Sequence, residues 1–474
     1  MSERYDAVIV GSGPNGLAAA IELARNDLAV LVIEGADAIG GGTRTATLTL
    51  PGYLHDVCSA AHPFAIGSPF LAGLPLADHG LEWINPPAAV AHPLDGRAAV
   101  LLERSVEDTS SQLGRDANEY VAAFSALADR FGDIAPAILG PLLRLPSHPL
   151  TTARFGVMAL QSAVRFAERF DTVEARALLA GLAAHSILPL DRAATNGVGI
   201  ALGLAGHAVG WPIAKGGSAA LTDAMGAYLV ELGGEIRTGH WVKSLDELPT
   251  AAAVLLDVMP DQLADLAADR LSAPAKRRLR RWEYGPGSFK VDFALSNPVP
   301  WEDPQVQRSA TVHVGGSLED IAVAEAAPWE GRAADRPFVL LTQPTLFDET
   351  RAPDGGHVVW AYCHVPSGWD GDATEAITAQ IERFAPSFRD TILAAHSMGP
   401  AAYERYNPNN VGGAIGGGAA TIRQIVARPR FSPFPHATPL DNVYLCSSAT
   451  APGAGTHGMC GFHAARTALR KTFR

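Results

Sequence analysis

An α/β protein with a discontinuous parallel sheet is predicted by three features of the sequence. Two short apolar runs flank a glycine loop and an alanine-rich stretch within residues 5–34. Strand-like and helical runs alternate again near 215–270, and a strand, a glycine loop and a helix close the chain. A helical segment and a β-rich segment separate these stretches. Alternating strands and helices build a parallel sheet covered by helices, and long intervening segments make a second layer.

The first element is Tyr5–Val10, apolar and β-branched, which reads as a buried parallel strand. Gly11-Ser12-Gly13-Pro14-Asn15-Gly16 follows, a G-x-G-x-x-G opening the helix Leu17–Asn26. Ala29–Ile33 is the second strand and ends at Glu34, 23 residues after Gly11. Each residue type has a mechanical reason. Gly11 permits the tight turn, Gly13 lets the backbone approach a pyrophosphate, and Gly16 lets helix and sheet pack closely. The helix N-terminus offers unpaired N–H groups to the phosphates. Glu34 stands where a carboxylate meets a ribose diol, and it disfavours a 2′-phosphate. A second glycine cluster, Gly40-Gly41-Gly42-Thr43-Arg44, suits a loop returning to the same pyrophosphate, with Arg44 supplying charge and a bidentate fork.

Next comes helical periodicity over Leu113–Phe170, punctuated by Pro136, Pro141, Pro146 and Pro149. Val198–Ala214 lacks charge but is glycine-rich and too short to span a bilayer, so it reads as buried or pocket-lining. Gly216-Gly217-Ser218 precedes a helix over Ala219–Leu232, stopped by Gly233-Gly234. Glu235–Arg237 and His240–Lys243 read as short strands, and Ala251–Asp257 as another apolar strand. From Phe289 onward strands dominate: Phe289–Ala294, Thr311–Val314, Phe338–Thr342 and His357–Val365, with a helix at Glu375–Phe384. Asn442–Cys446 is a strand, Ala449–Gly458 a loop of glycine and small residues, and Met459–Leu469 a helix. The dipole of that last helix suits an anion at its N-terminus.

Composition narrows the function. With 474 residues the chain holds two or three units. A formal charge of −12 makes it a poor nucleic-acid binder. The four cysteines form no C-x-x-C, which excludes a local dithiol redox centre and makes no metal site; they fit a reducing, cytoplasmic compartment. The N-terminus runs straight into the first strand, with no leader visible.

These residues, with His55–Pro63, Lys215-Gly216-Gly217, Tyr284–Asp292, Asn407–Gly413 and Pro452–Gly461, resemble the phytoene-desaturase-related family of FAD-dependent oxidoreductases. Within it, the resemblance is to a bacterial branch similar to the animal proteins called pyridine nucleotide-disulphide oxidoreductase domain-containing protein 2. It implies a fold of the amine-oxidase and phytoene-desaturase type: a Rossmann-like FAD-binding domain (1–70, 206–283 and 432–474) interleaved with a mixed-sheet substrate domain (71–205 and 284–431). The helical insertion occupies about 113–205. It implies FAD, held by Gly11, Ser12, Gly13, Pro14, Asn15, Gly16, Glu34, Gly41, Gly42, Thr43, Arg44 and Val242. Gly455, Thr456, His457, Gly458 and Met459 complete that set. It further implies a hydrophobic substrate, desaturated or isomerised at a C–C bond by hydride transfer to flavin N5.

Candidates for a base are His55, Asp56, His62 and His457, each with a structural role as the competing reading. Lys290 and Asp292 share one face of a strand and read as a structural pair. No second dinucleotide fingerprint is present, so no dedicated NAD(P)H domain is expected. Oxygen, a quinone or another carrier would reoxidise the flavin. The rival readings are an FAD amine or alcohol oxidase and a flavin-bearing binding protein. A polyene would be drawn from lipid, which predicts peripheral membrane contact through 113–205.

Overall fold

The computed structural model describes residues 4–143 and 145–473. Five parallel strands form the first sheet, in the order Val443–Leu445, Thr250–Leu256, Arg4–Val10, Val30–Ile33, Glu235–Arg237. The middle strand is fully apolar where it is buried, from Ala7 to Val10, as a strand covered on both faces must be. Helix Pro14–Ala24 starts on a proline, whose fixed φ suits the first turn, and packs against the C-terminal helix Met459–Lys471. Leu17, Ile21, Ala464, Ala465 and Ala468 are buried in the same cluster as Ile9 and Val32.

Seven strands form the second sheet. Their order is Ile392–Met398, Gly287–Leu295, His357–Val365, Val339–Thr342, Ser309–Val314, Ala88–Leu94, Arg97–Glu103. All neighbours are antiparallel except Ser309–Val314 with Ala88–Leu94. Helices Ala117–Ala128, Phe131–Ile138, Pro149–Ala159, Val173–Ala184 and Thr195–Ala208 form a third body. Its core holds Phe124, Phe166, Leu178, Leu182 and Leu204.

Most expected elements stand where the sequence puts them. Two differ. His240–Lys243 is irregular chain, because Glu235–Arg237 is the sheet's edge and the backbone turns back there, with His240 N–H donating to the Glu34 carbonyl. The hairpin of Ala88–Leu94 and Arg97–Glu103 has no counterpart among the expected strands; Pro93 and a run of alanines weaken its signal. Val198–Ala214 is mostly the buried helix Thr195–Ala208, and among the described residues no helix is long and apolar enough to cross a membrane.

Candidate functional site

A cavity of about 1160 Å³ joins the two sheets. At one end it is lined by Gly11–Asn15, Glu34 and Gly41–Arg44; at the other by Thr311, Leu340, Thr342, Trp360 and Tyr362 on one face of the mixed sheet.

The nucleotide end is built from backbone. A Cβ on Gly16 would lie 2.0 Å from the Gly11 carbonyl oxygen, so only glycine lets the helix start there. Gly11 itself has φ +97°, a left-handed conformation. Gly16 N–H donates to Asp257 Oδ2 at 3.0 Å. Asp257 follows the strand Thr250–Leu256 directly and lines the cavity. Burial pushes its carboxyl up to about 7, against the Gly16 hydrogen bond and with the Glu34 charge. Glu34 accepts from Ser12 N–H at 2.9 Å and Ser12 Oγ at 2.6 Å, and so fixes the phosphate loop. Its other oxygen accepts from Ala36 N–H and from Arg44 Nη2 at 3.4 Å. The Arg44 guanidinium donates to the carbonyls of Ala38 and Ile39 and lies over the Tyr406 ring. Arg44 therefore braces the glycine turn with the same fork that the sequence assigned to a pyrophosphate.

At the C-terminal loop, His457 Nδ1 accepts from Met459 N–H at 3.0 Å. Its Nε2 therefore carries the proton and is buried with no partner, in a cavity-lining residue. Thr456 Oγ1 lies 3.0 Å from Ser59 Oγ, which ties this loop to the one after Arg44. His62 lines the cavity with Nε2 2.9 Å from Ser218 Oγ. Burial lowers both imidazoles to about 4, so both are neutral at physiological pH. Arg428 is buried in the wall, donates to the carbonyls of Ser448 and Gly416, and stacks on Trp282. Burial lowers it to about 10.

Behind the wall lies a buried charge array. Lys290 Nζ pairs with Asp292 at 2.7 Å and donates to the Asp56 carbonyl at 3.1 Å. Asp56 accepts from Ser218 N–H, Thr45 Oγ1 and Arg351 Nη2. Burial alone would raise Asp56; the Arg351 charge and the Ser218 N–H outweigh it and hold the carboxyl below its usual range. His55 bonds Thr49 Oγ1 at 2.8 Å, and burial lowers it to about 4.

Of the residues expected at the cofactor, Gly16, Gly458 and Met459 lie outside the lining and the others form part of it. His62 and His457 reach the cavity; His55, Asp56, Lys290 and Asp292 do not. Asp257, Arg428 and the sheet wall were missed. Asp257 had a readable signal, an acid straight after a buried parallel strand, as at Glu34. The sheet wall had none, since its side chains come from strands distant in sequence.

This cradle and sheet pair define the class: a mixed α/β protein with a Rossmann-like dinucleotide segment, sharing its fold with amine-oxidase-type oxidoreductases. Residues 9–69 match the family of NAD(P)-binding Rossmann-like domains. The whole chain is similar to mouse (Mus musculus) pyridine nucleotide-disulfide oxidoreductase domain-containing protein 2, at 24% identity over 99% of this chain and 94% of that protein. Among solved structures it is similar to an oxidoreductase from Methanosarcina mazei, with TM-score 0.65, 14% identity, and 99% and 100% of the two chains covered. Cyclohexylamine oxidase from Brevibacterium oxydans gives TM-score 0.59 and 15% identity, with 99% of each chain covered.

The residues present fit FAD. Backbone amides at a helix N-terminus would meet its phosphates, and two buried, unpartnered polar atoms in lining residues, Asn15 Oδ1 and His457 Nε2, are free to bond it.

Proposed function

We propose that the chain is an FAD-dependent oxidoreductase that desaturates or isomerises a C–C bond of a hydrophobic substrate. The observation that carries this reading is the continuity of one cavity from the phosphate loop to the sheet wall. When bound, FAD supplies the acceptor for a hydride. Everything else falls to the chain. The N–H groups of Gly13 and Asn15, at the start of the helix, would hold the pyrophosphate. His457 Nε2 donates a hydrogen bond from the C-terminal loop. Its occupied Nδ1 leaves it no free lone pair, so it cannot take a proton. His62 is neutral and is the better acceptor for a proton leaving the carbon next to the hydride donor.

The alternative, an FAD amine oxidase, draws on the fold shared with cyclohexylamine oxidase. Among the described residues the only acids lining the cavity are Glu34, Asp257 and Asp265, none of them on the sheet wall. An ammonium group therefore has no counter-charge there.

The mouth is apolar. Leu142 and Leu160, 56% and 65% exposed, line it, as do Ile422 and Val426, both 44% exposed. Leu150 beside it is 87% exposed. Residues 134–167 and 405–440, which carry these side chains, contain no Asp or Glu but include Arg154 and Arg423, in a chain of net charge −12. Exposed leucines beside arginines suit an anionic lipid surface, and we infer that the substrate enters from one.

The test is an anaerobic absorption spectrum of the purified protein, before and after NADH or NADPH. A flavin spectrum that stays oxidised leaves the organic substrate as electron donor, as proposed. Bleaching by pyridine nucleotide points instead to a reductase, or to an isomerase working on reduced flavin. A folded protein that takes up no FAD overturns the reading.

A further inference from the structure

The sheet wall carries a row of polar heads with no partner among the described residues. The strand register places Thr311 opposite Thr342, and Thr342 opposite Trp360. All three line the cavity on one face, at 1%, 1% and 6% exposure. Thr311 Oγ1, Thr342 Oγ1 and Trp360 Nε1 are buried without a hydrogen bond. The row continues into a second group. His313, two residues from Thr311 on the same face, has Nε2 3.0 Å from His185 Nε2, and the His185 ring lies edge-on to Trp211 at 6.0 Å. Trp211 Nε1 and Ser186 Oγ also lack partners in buried, cavity-lining residues.

Buried polar groups are almost always satisfied, so this concentration in one wall calls for a ligand. An indole N–H can only donate, and a threonine hydroxyl donates or accepts. The missing group is therefore a hydrogen-bond acceptor. It is also uncharged. Among the described residues the charged ones lining the cavity are Glu34, Arg44, Lys243, Asp257, Asp265 and Arg428, and none of these stands on this wall. A carboxylate or an ammonium would be desolvated there without an opposite charge.

We propose that Thr311, Thr342 and Trp360 bind a neutral oxygen of the substrate, a hydroxyl or a carbonyl, while an apolar chain fills the rest of the cavity. Substrate choice then rests on this row, which selects an oxygenated apolar molecule over a pure hydrocarbon, a fatty acid or an amine. The inference rests on the reading that FAD occupies the other end.

Isothermal titration of the FAD-loaded protein tests it, with decan-1-ol, decane, decanoate and decylamine as probes. Thr342→Val keeps shape and removes one hydroxyl. It weakens decan-1-ol about fivefold and leaves decane unchanged. Adding Thr311→Val and Trp360→Phe brings the loss for decan-1-ol to tenfold or more. Equal losses for alcohol and alkane, or no loss for either, overturn the proposal. Tighter binding of decanoate or decylamine than of decan-1-ol overturns it as well. If the triple variant does not fold, Thr342→Val alone decides. FAD loading is read separately from the flavin spectrum. Repeating the titrations on cofactor-free protein tests the row even where FAD uptake fails.

Discussion

The two ends of the cavity are built in different ways. The nucleotide end is backbone: glycines, a helix N-terminus and two acids that follow parallel strands. The other end, where we propose that the substrate lies, is side chain: threonines, tryptophans and histidines brought together by a seven-stranded sheet. Backbone sites are encoded over a few adjacent residues and tolerate almost no change. Side-chain sites are assembled from distant segments and tolerate exchange, which is how one scaffold serves many substrates.

The largest expected effect lies at the nucleotide end. Gly16→Ala puts a methyl group where the Gly11 carbonyl stands, 2.0 Å from the new carbon. The loop must open, and FAD should be lost on purification, read as the ratio of flavin to protein absorbance. A variant that retains full FAD would break the comparison, because the cradle would then not be set by backbone contact.

This asymmetry also explains what the sequence revealed. Gly11–Gly16, Glu34 and Gly40–Arg44 sit within 34 residues, in an order that has one mechanical meaning. The parallel sheet was legible because its inner strands hold short apolar runs, Ala7–Val10 and Val30–Ile33 among them. Glu34 was legible as an acid in the right place, but not as the acceptor of both Ser12 donors. The row Thr311–Thr342–Trp360 was not legible, since it depends on register between strands joined by long connections. Lys290 and Asp292 were readable as a pair by their spacing. The link from Lys290 to Asp56, 234 positions away, was not, and neither was the pairing of Asp56 with Arg351, 295 positions apart.

The array behind the wall gives the next largest effect. Lys290→Met leaves Asp292 buried beside two imidazoles, His55 at 3.7 Å and His396 at 3.5 Å, without its cation. Breaking a buried pair costs about 3–5 kcal/mol. Urea unfolding should show that loss, and Lys290→Met with Asp292→Leu should recover most of it. Normal stability with abolished turnover would instead place Lys290 at the reacting atoms.

Asp257 sharpens the contrast through pH. Its folded carboxyl titrates at about 7, above the unfolded value near 4. The folded state therefore holds more protons in that window. The stabilisation is complete below pH 4, and is lost as pH rises through 7. The loss amounts to up to about 4 kcal/mol. Unfolding of the cofactor-free protein between pH 4 and 8 should show this slope, and Asp257→Asn should flatten it. An anionic pyrophosphate beside Asp257 favours the protonated form, so FAD affinity should fall over pH 6–8 in the same protein.

The smallest effect lies at the mouth, outside both ends. Arg423 is exposed on the short helix Ile422–Val426, beside Ile422 and Val426 at the rim. One basic residue near an anionic bilayer contributes about 1 kcal/mol, roughly a fivefold change in partitioning. Arg423→Gln should reduce flotation with phosphatidylserine-containing vesicles by about that factor. It should leave FAD content and decan-1-ol affinity unchanged. Leu150→Asp, which adds a like charge at an apolar contact, should reduce flotation further. Binding that ignores both substitutions, or wild-type protein that ignores anionic vesicles, would make the apolar rim a guide for a dissolved substrate. The two ends of the cavity would then account for the whole of recognition.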